Sequence, residues 1–397
     1  MKGPAMASTH RTVLLTGGTG FLGSFLAAGL LERGVHVAFL ARNGEERSAQ
    51  RRVDDVLRWH GRRDADLTAG CTVLAGDLAE PRFGLADGDY ADLARDCTEI
   101  WHCASETTFS ARRRELLERV NVAGTEQVLQ FARDSRAQMV NYIGTAYSVG
   151  RVVGDCAETL EPRAQFHNPY EETKHRAEML LVRGCGQDGV PFLVYRPSII
   201  AGDHLTGRTL LYNGLYYPLR MLDYFRRQVL RDWEEGDGSN ARALGARVTG
   251  DGRVELPVLL PVRREGGTGL NVVAVDWVRD ACLRLREGGE PGTVHNLVND
   301  TAMSLDDLST AIRDVLGIDG VELSAAADAD APAVSPLDAQ FRSRVQVYLP
   351  YMGDQRVFRR DRSRAVLGDL LPPPVDLGYL ERCLKVALAD EWTSPLP

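Results

Sequence analysis

Residues 12–23 read Thr12-Val13-Leu14-Leu15-Thr16-Gly17-Gly18-Thr19-Gly20-Phe21-Leu22-Gly23. Apolar and β-branched residues run directly into glycines spaced G-x-x-G-x-x-G, at Gly17, Gly20 and Gly23. That order predicts a strand, a tight turn and an amphipathic helix. Each glycine has its own reason: one allows the turn, one lets the backbone approach a pyrophosphate, one lets helix pack on strand. The helix then points its unpaired N–H groups at the anion. A glycine triplet alone is a weak signal; with a strand before it and a helix after it, it marks a dinucleotide site.

Working outward, the same rhythm repeats. Strand candidates are Thr12–Thr16, Val35–Ala41, Cys71–Gly76, Glu99–Ala104, Met139–Gly144 and Pro191–Arg196. Between them lie helix-like stretches: Gly23–Arg33, Glu46–His60, Asp89–Arg95, Ala111–Asp134 and Glu171–Arg183. Strands that are apolar throughout and separated by helices imply a parallel sheet covered on both faces. The expected fold is α/β, a Rossmann-type doubly wound parallel sheet. After Gly202 the rhythm breaks. Leu210–Arg231 has helical spacing, and Glu234–Asp251 reads as a polar surface loop. Thr293–Val298 reads as a buried strand after a helix at Asp276–Arg286, and Ser324–Pro336 as a linker. The remainder is expected to be helical, broken at Pro372–Pro374. This divides the chain into a cofactor domain, 12–202 plus 268–300, and a smaller discontinuous C-terminal substrate lobe, 203–267 plus 301–397.

The 397 residues are 44% hydrophobic and 26% charged, as in an ordinary globular protein. Lys and Arg number 47 against 55 Asp and Glu, a net charge of −8. That balance argues against nucleic acid as a partner, which favours a basic face. No run approaches ~18 apolar residues, so no membrane span is expected. Met1–Arg11 lacks the apolar core of a secretory signal. Seven cysteines, odd in number and with no C-x-x-C pair, point to inert thiols in a reducing cytoplasm, with no disulfide or metal site.

The second strand bears on which dinucleotide. An NAD site places Asp or Glu about 20 residues after the glycines, on the ribose hydroxyls. This chain has Ala41-Arg42-Asn43 instead. Arg42 can hold a 2′-phosphate through a bidentate fork, which favours NADPH.

A second constellation lies in Asn168-Pro169-Tyr170-Glu171-Glu172-Thr173-Lys174. Asn168 suits an N-cap, Pro169 the first helical position, and Glu171 a capping-box-like pattern. Tyr170 and Lys174 then share one helical face. A phenol ordinarily titrates near ~10. A neighbouring ammonium and the helix N-terminus both favour its phenolate, so Lys174 is expected to lower it. Such a phenol can protonate a developing alkoxide. Thr145, just past the strand Met139–Gly144, is expected to reach the same crevice and orient the substrate oxygen.

At these residues the chain resembles the extended short-chain dehydrogenase/reductase superfamily, and within it the thioester-reductase and fatty-acyl-reductase branch, the male-sterility-type domains. The matching segments are TGGTGFLG (16–23), AGDLAEPRFGL (75–85), IWHCASETTF (100–109), NVAGT (121–125), IGTAYSVG (143–150), NPYEETKHRAE (168–178), YRPSIIAGD (195–203) and VVAVDWVRDA (272–281). They span roughly residues 12–300, and the C-terminal quarter matches loosely. The resemblance implies that Gly17, Thr19, Gly20, Phe21 and Leu22 hold the pyrophosphate and Arg42 the 2′-phosphate. It implies that Asp77 and Leu78 contact the adenine, that Cys103, Ala104 and Ser105 line the groove, and that Asn121 supports it. Thr145, Tyr170 and Lys174 would be the catalytic triad, Tyr170 and Lys174 also contacting the cofactor, where Lys174 grips the nicotinamide ribose, with Pro197 and Ser198 by the carboxamide. Where that branch often carries Ser before the threonine, this chain has Gly144, and the asparagine often seen near Thr107–Thr108 is absent.

The implied activity is NADPH-dependent reduction of an acyl thioester, as a CoA ester or on a separate acyl carrier protein, to an aldehyde or alcohol. The alternatives are a ketone or alcohol dehydrogenase, epimerase or dehydratase of a sugar nucleotide or secondary metabolite, and a non-catalytic NADP(H)-binding protein. Arg112–Arg114 and Arg226–Arg231 are candidates for a phosphopantetheine or CoA phosphate; the plainer reading is solvated helix faces. Tyr212, Tyr216, Tyr217 and Trp233 are candidates for the pocket wall, core packing being the commoner use.

Overall fold

Strand β1 (Thr12–Thr16) shows why the strands are apolar throughout. Val13 and Leu15 pack into one buried layer with Phe25, Leu26 and Val278. Leu14 packs into the opposite layer with Val128, Phe131 and Leu181. Alternate side chains leave opposite faces of a strand, so a sheet covered on both faces has no polar side.

The structure, a computed structural model, describes residues 12–163, 165–261, 270–324 and 332–396. The main sheet adds β2 (His36–Ala41), β3 (Cys71–Ala75), β4 (Cys97–His102), β5 (Met139–Ile143), β6 (Phe192–Pro197) and β7 (Thr293–Leu297). Its order is β7-β6-β5-β4-β1-β2-β3, and every pair is parallel. The chain reverses its direction of growth between β1 and β4. Ligands in such sheets bind outside the carboxyl ends of the strands at that point.

Helices α1 (Phe21–Glu32) and α2 (Ala49–Trp59) lie on one face; α3 (Asp87–Asp96), α4 (Gly124–Ser135) and α5 (Pro169–Asp188) lie on the other. The expected amphipathic α1 is instead buried almost all round, from Leu22 to Leu30. A further helix, Val275–Gly288, covers its outer side: an added Cβ at Gly29 would meet Leu283 at 2.8 Å.

The expected helix Ala111–Asp134 is broken. It comprises a 3-10 turn at Ala111–Arg113, a helical turn at Arg114–Leu117, a π segment at Glu118–Ala123, and then α4. Single π turns often mark functional sites, and this one carries Asn121. Glu234–Asp251 is also no plain loop. Asp232 accepts hydrogen bonds from Ala241 N (2.8 Å) and Asn240 Nδ2 (2.7 Å), which holds a short helix at Ser239–Ala243. Arg247–Val248 then pairs antiparallel with the start of Val254–Pro261.

The second core lies beyond the sheet. It is built on the parallel pair Val254–Pro261 and Ile318–Ser324, packed against helices Tyr216–Glu235, Leu305–Leu316, Pro336–Val345 and Leu377–Ala389. The expected helical remainder after the linker is corrected at Arg356–Phe358, which is a strand; Ile318–Ser324, which runs up to the linker, is a strand as well. Segments cross between the layers. Arg356–Phe358 pairs with Gly154–Cys156, and Leu367, on the helix Asp361–Leu367, joins the core beside β1 and β2. Part of the expected linker, residues 325–331, lies outside the described residues. All seven cysteines are free and five are buried. Among the described residues, no helix is long and apolar enough to cross a membrane.

Candidate active site

The strand ends open into one continuous cavity of about 480 Å³. Gly17 sits at its throat with a φ of +73°, and a Cβ there would lie 2.5 Å from Ala104 N. A Cβ at Gly23 would meet Gly17 O at 2.1 Å. Both positions therefore admit only glycine, and both line the cavity. Gly20 caps α1 without a side-chain hydrogen bond, so the helix's first N–H groups face the cleft.

Gly17, Thr19, Gly20, Phe21, Leu22, Arg42, Asp77, Leu78, Cys103, Ala104, Ser105, Thr145, Tyr170, Lys174, Pro197 and Ser198 all line this cavity. Asn121 does not. Its amide is fully used inside the protein. It accepts from Ser105 Oγ (3.0 Å) and Glu106 N (2.9 Å), and donates to Glu106 O (3.1 Å) and Thr173 Oγ1 (3.1 Å). It ties the loop after β4 to α5 and so shapes the groove from behind.

Arg42 is exposed at the end of β2. Sequence reading missed its neighbour, Arg52. From the first turns of α2, Arg52 donates to Arg42 O (2.9 Å) and Thr19 Oγ1 (3.3 Å) and lines the cleft. Partial burial, then the charges of Arg42 and Arg47, pull its guanidinium below the ordinary arginine range. Among the described residues no carboxylate pairs with Arg42 or Arg52. Two cations without a carboxylate partner among the described residues therefore stand at this end of the cleft. The sequence signal was Arg51-Arg52 after β2, and only the helical phase selects the second.

At the other end, α5 starts as its sequence dictates. Asn168 accepts from Glu171 N (3.0 Å), with Pro169 at the first position. Glu171 does not close a capping box on Asn168. One oxygen takes His167 N (2.8 Å); the other takes the Tyr351 hydroxyl (2.8 Å) and Arg356 Nη1 (3.4 Å). Arg356 is also held by Asp354, Nη2 to Oδ2 at 2.6 Å. The first turn of α5 is thus anchored to residues 351–356 through a buried ion pair.

This start brings Tyr170 and Lys174 into one cleft with Thr145, whose hydroxyl donates to Pro197 O (3.5 Å). Thr145 is 5% and Lys174 3% exposed, whereas Tyr170 opens partly to the cleft. Packing among protein atoms pushes the Tyr170 phenol above its ordinary range; the nearby Thr145 hydroxyl only partly offsets this. The expected lowering by Lys174 is corrected, because desolvation dominates. Lys174 is itself desolvated, to a pKa of about 8, and its Nζ donates to Ile143 O (2.7 Å) over the Tyr142 ring. Gly144 precedes Thr145 because space there is short: a Cβ would meet Glu178 Oε2 at 3.1 Å and Tyr195 O at 3.3 Å. That carboxylate is buried against Arg196, whose Nε donates to it at 3.0 Å.

The remaining wall is apolar. Tyr212 and Tyr216 are core residues, Tyr217 stacks on Tyr348 (5.1 Å), and Trp233 lies at the surface under Arg242; none lines the cavity. The aromatic wall comes instead from Phe109, Tyr147, Tyr348 and Tyr351, packed at 5.0–5.4 Å. The arginine stretches lie elsewhere. Arg226 and Arg227 both pair with buried Asp223 (2.8 Å each), and Arg114 pairs with Glu172 (3.0 Å).

Comparison with known proteins agrees with this geometry. The chain is 31% identical over 208 residues to an isonitrile lipopeptide synthase of Streptomyces coeruleorubidus, covering 51% of this chain and 14% of that protein. It is 33% identical over 249 residues to a carboxylic acid reductase of Segniliparus rugosus, covering 57% of this chain and 20% of that one. The chain therefore spans a fifth or less of the length of these relatives. Its fold matches that of the terminal R domain from the myxalamid PKS-NRPS biosynthetic pathway, with a TM-score of 0.74 at 22% identity over 98% of this chain and 93% of that one. The cofactor class that these similarities support is a nicotinamide dinucleotide. The male sterility protein model, an NAD-binding domain, matches residues 15–281, and the chain belongs to that family.

Proposed function

We propose that the protein is an NADPH-dependent reductase of acyl thioesters, presented by CoA or a carrier protein. One observation carries the reading. A single cleft runs from the Arg42–Arg52 cation pair, past the Gly17–Ala104 throat, to Thr145, Tyr170 and Lys174, and on into an apolar chamber. A chain-end phosphate, a pyrophosphate, a reacting carbonyl and an acyl group each meet a matching surface in that order.

Gly17, Thr19, Gly20, Phe21 and Leu22 would hold the pyrophosphate, Arg42 and Arg52 the 2′-phosphate, and Asp77 and Leu78 the adenine side. Cys103, Ala104, Ser105, Pro197 and Ser198 would flank the nicotinamide end, and Lys174 would grip its ribose. Bound there, the dinucleotide supplies a hydride to the carbonyl carbon. Thr145 and Tyr170 both reach the oxygen on which charge develops. Tyr170, a neutral phenol at physiological pH, gives it a proton as general acid. The hemithioacetal so formed loses its thiol and leaves the aldehyde; a second reduction of the same kind gives the alcohol. A sugar nucleotide fits this chamber poorly, because few polar side chains among the described residues face its lobe side.

The test is to follow nicotinamide absorbance with acyl-CoA, acyl-carrier-protein and ketone panels, with NADPH and NADH in parallel. NADPH oxidation with release of one thiol per first hydride is the expected result. Turnover of ketones alone would overturn the thioester reading, and equal use of NADH the 2′-phosphate reading.

A further inference from the structure

The chamber beyond Tyr170 has a chemical character of its own. Its lobe-side wall is made by Leu219 and Leu222 on the helix Tyr216–Glu235, Leu260 on the lobe strand, Leu308 and Ile312 on the helix Leu305–Leu316, and Met352. Spacings of three and four residues put each helix pair on one face. All six are 7% exposed or less, so they are core residues with one side on the cavity.

Nearby charges are directed elsewhere. Asp223, next to Leu222, is bound by Arg226, Arg227 and Trp392 Nε1 (2.9 Å). Glu171 and Arg356 bind each other, and the Tyr351 hydroxyl is engaged between Glu171 and Asn168, which leaves its ring for the cavity. Among the described residues lining the lobe side, none is charged, and Asn213 carries the one amide.

We infer that this site selects an uncharged, apolar acyl chain, and that Leu308 and Ile312 help set the chain length it accepts. The chemistry rests on the thioester-reductase reading above; the selectivity is a property of the wall. Each methylene moved from water to such a wall is worth about a fourfold gain. An acyl chain ending in a carboxylate or ammonium meets no charged partner among the described residues there and is rejected by at least ~100-fold.

The experiment uses synthetic S-acyl pantetheines from butanoyl to dodecanoyl, with length-matched ω-carboxy and ω-amino chains, and NADPH. The expected result is kcat/KM rising about three- to fourfold per methylene over part of the series, with charged chains ~100-fold or more below their apolar counterparts. Charged chains reduced within about threefold of apolar ones would overturn the inference. The corresponding pantetheine amides, which cannot be reduced, are titrated calorimetrically in parallel. Amide affinity that climbs with chain length while no thioester is turned over would uphold the apolar wall and sink the reductase reading. Flat amide affinity would sink the wall itself. In Ile312→Phe the optimum should move to shorter chains, and in Ile312→Ala to longer ones. An unchanged optimum in whichever variant folds would remove Ile312 from length selection.

Discussion

The cofactor half of the cleft is assembled from strand ends and tight turns: Gly17, Ala104, Arg42, Thr19 and the start of α1. The half proposed to take the acyl chain draws Leu219, Leu260, Leu308 and Met352 from four separate segments of the lobe. The first half needs particular backbone shapes and particular charges. A Cβ at Gly17 would collide with backbone at 2.5 Å, so nothing else can stand there. The second half needs only volume and hydrophobicity, which several apolar residues supply equally well. Recognition of a fixed cofactor therefore constrains residues singly, and recognition of a variable acyl chain constrains them as a set.

The sharpest way to break this comparison is at the seam between the halves. Tyr170→Phe removes one hydroxyl and no packing. Turnover should fall by about 10²–10⁴-fold, the usual contribution of a general acid, while NADPH affinity stays within about twofold. A loss in NADPH affinity as large as the loss in kcat would assign Tyr170 to the cofactor half.

That division also explains what could be read before the structure was known. β1 to β6, the glycine turn and the Asn168-capped start of α5 each follow a local rule, so they were legible with boundaries right to within two residues. Every proposed cofactor contact except Asn121 lines the cleft, because motif residues at strand ends converge by topology. The acyl wall was not legible. Leu308 and Ile312 look like any buried helical face, and Tyr212 and Tyr216, more conspicuous, went into the core. The Glu171–Arg356 pair was hidden too, since its partners are 185 residues apart. Arg356 is 1% exposed, so Arg356→Met would leave Asp354 and Glu171 as buried, uncompensated carboxylates. Chemical denaturation should show a loss of about 3–5 kcal/mol. A loss under ~1 kcal/mol would mean that this ion pair does little to hold the two halves together.

Within the cofactor half, the two arginines can be separated. Charge-assisted hydrogen bonds are worth about 1.5–3 kcal/mol each. Arg52→Ala should therefore weaken NADPH binding by roughly 10- to 100-fold and leave NADH binding unaltered. An equal loss for both dinucleotides would recast Arg52 as a brace for Thr19 and Arg42 O, the two groups its guanidinium already touches.

A last effect comes from Lys174, and it has two opposite signs. Burial lowers its pKa from 10.5 to about 8 in the folded chain. Between those values the unfolded chain holds one more proton than the folded one at this group. Stability from Lys174 therefore rises with pH across that window and is flat below it. The difference between wild type and Lys174→Met, measured as unfolding free energy against pH, isolates this slope from the tyrosines, which both chains share. The proposed grip on the nicotinamide ribose runs the other way, because an ammonium donates more hydrogen bonds than an amine. NADPH affinity of the wild type should fall as pH passes about 8, just as the fold gains stability. If affinity and stability instead rose together, the uncharged amine would be the working form, and Lys174 would serve the site through Ile143 O and the Tyr142 ring rather than through its charge.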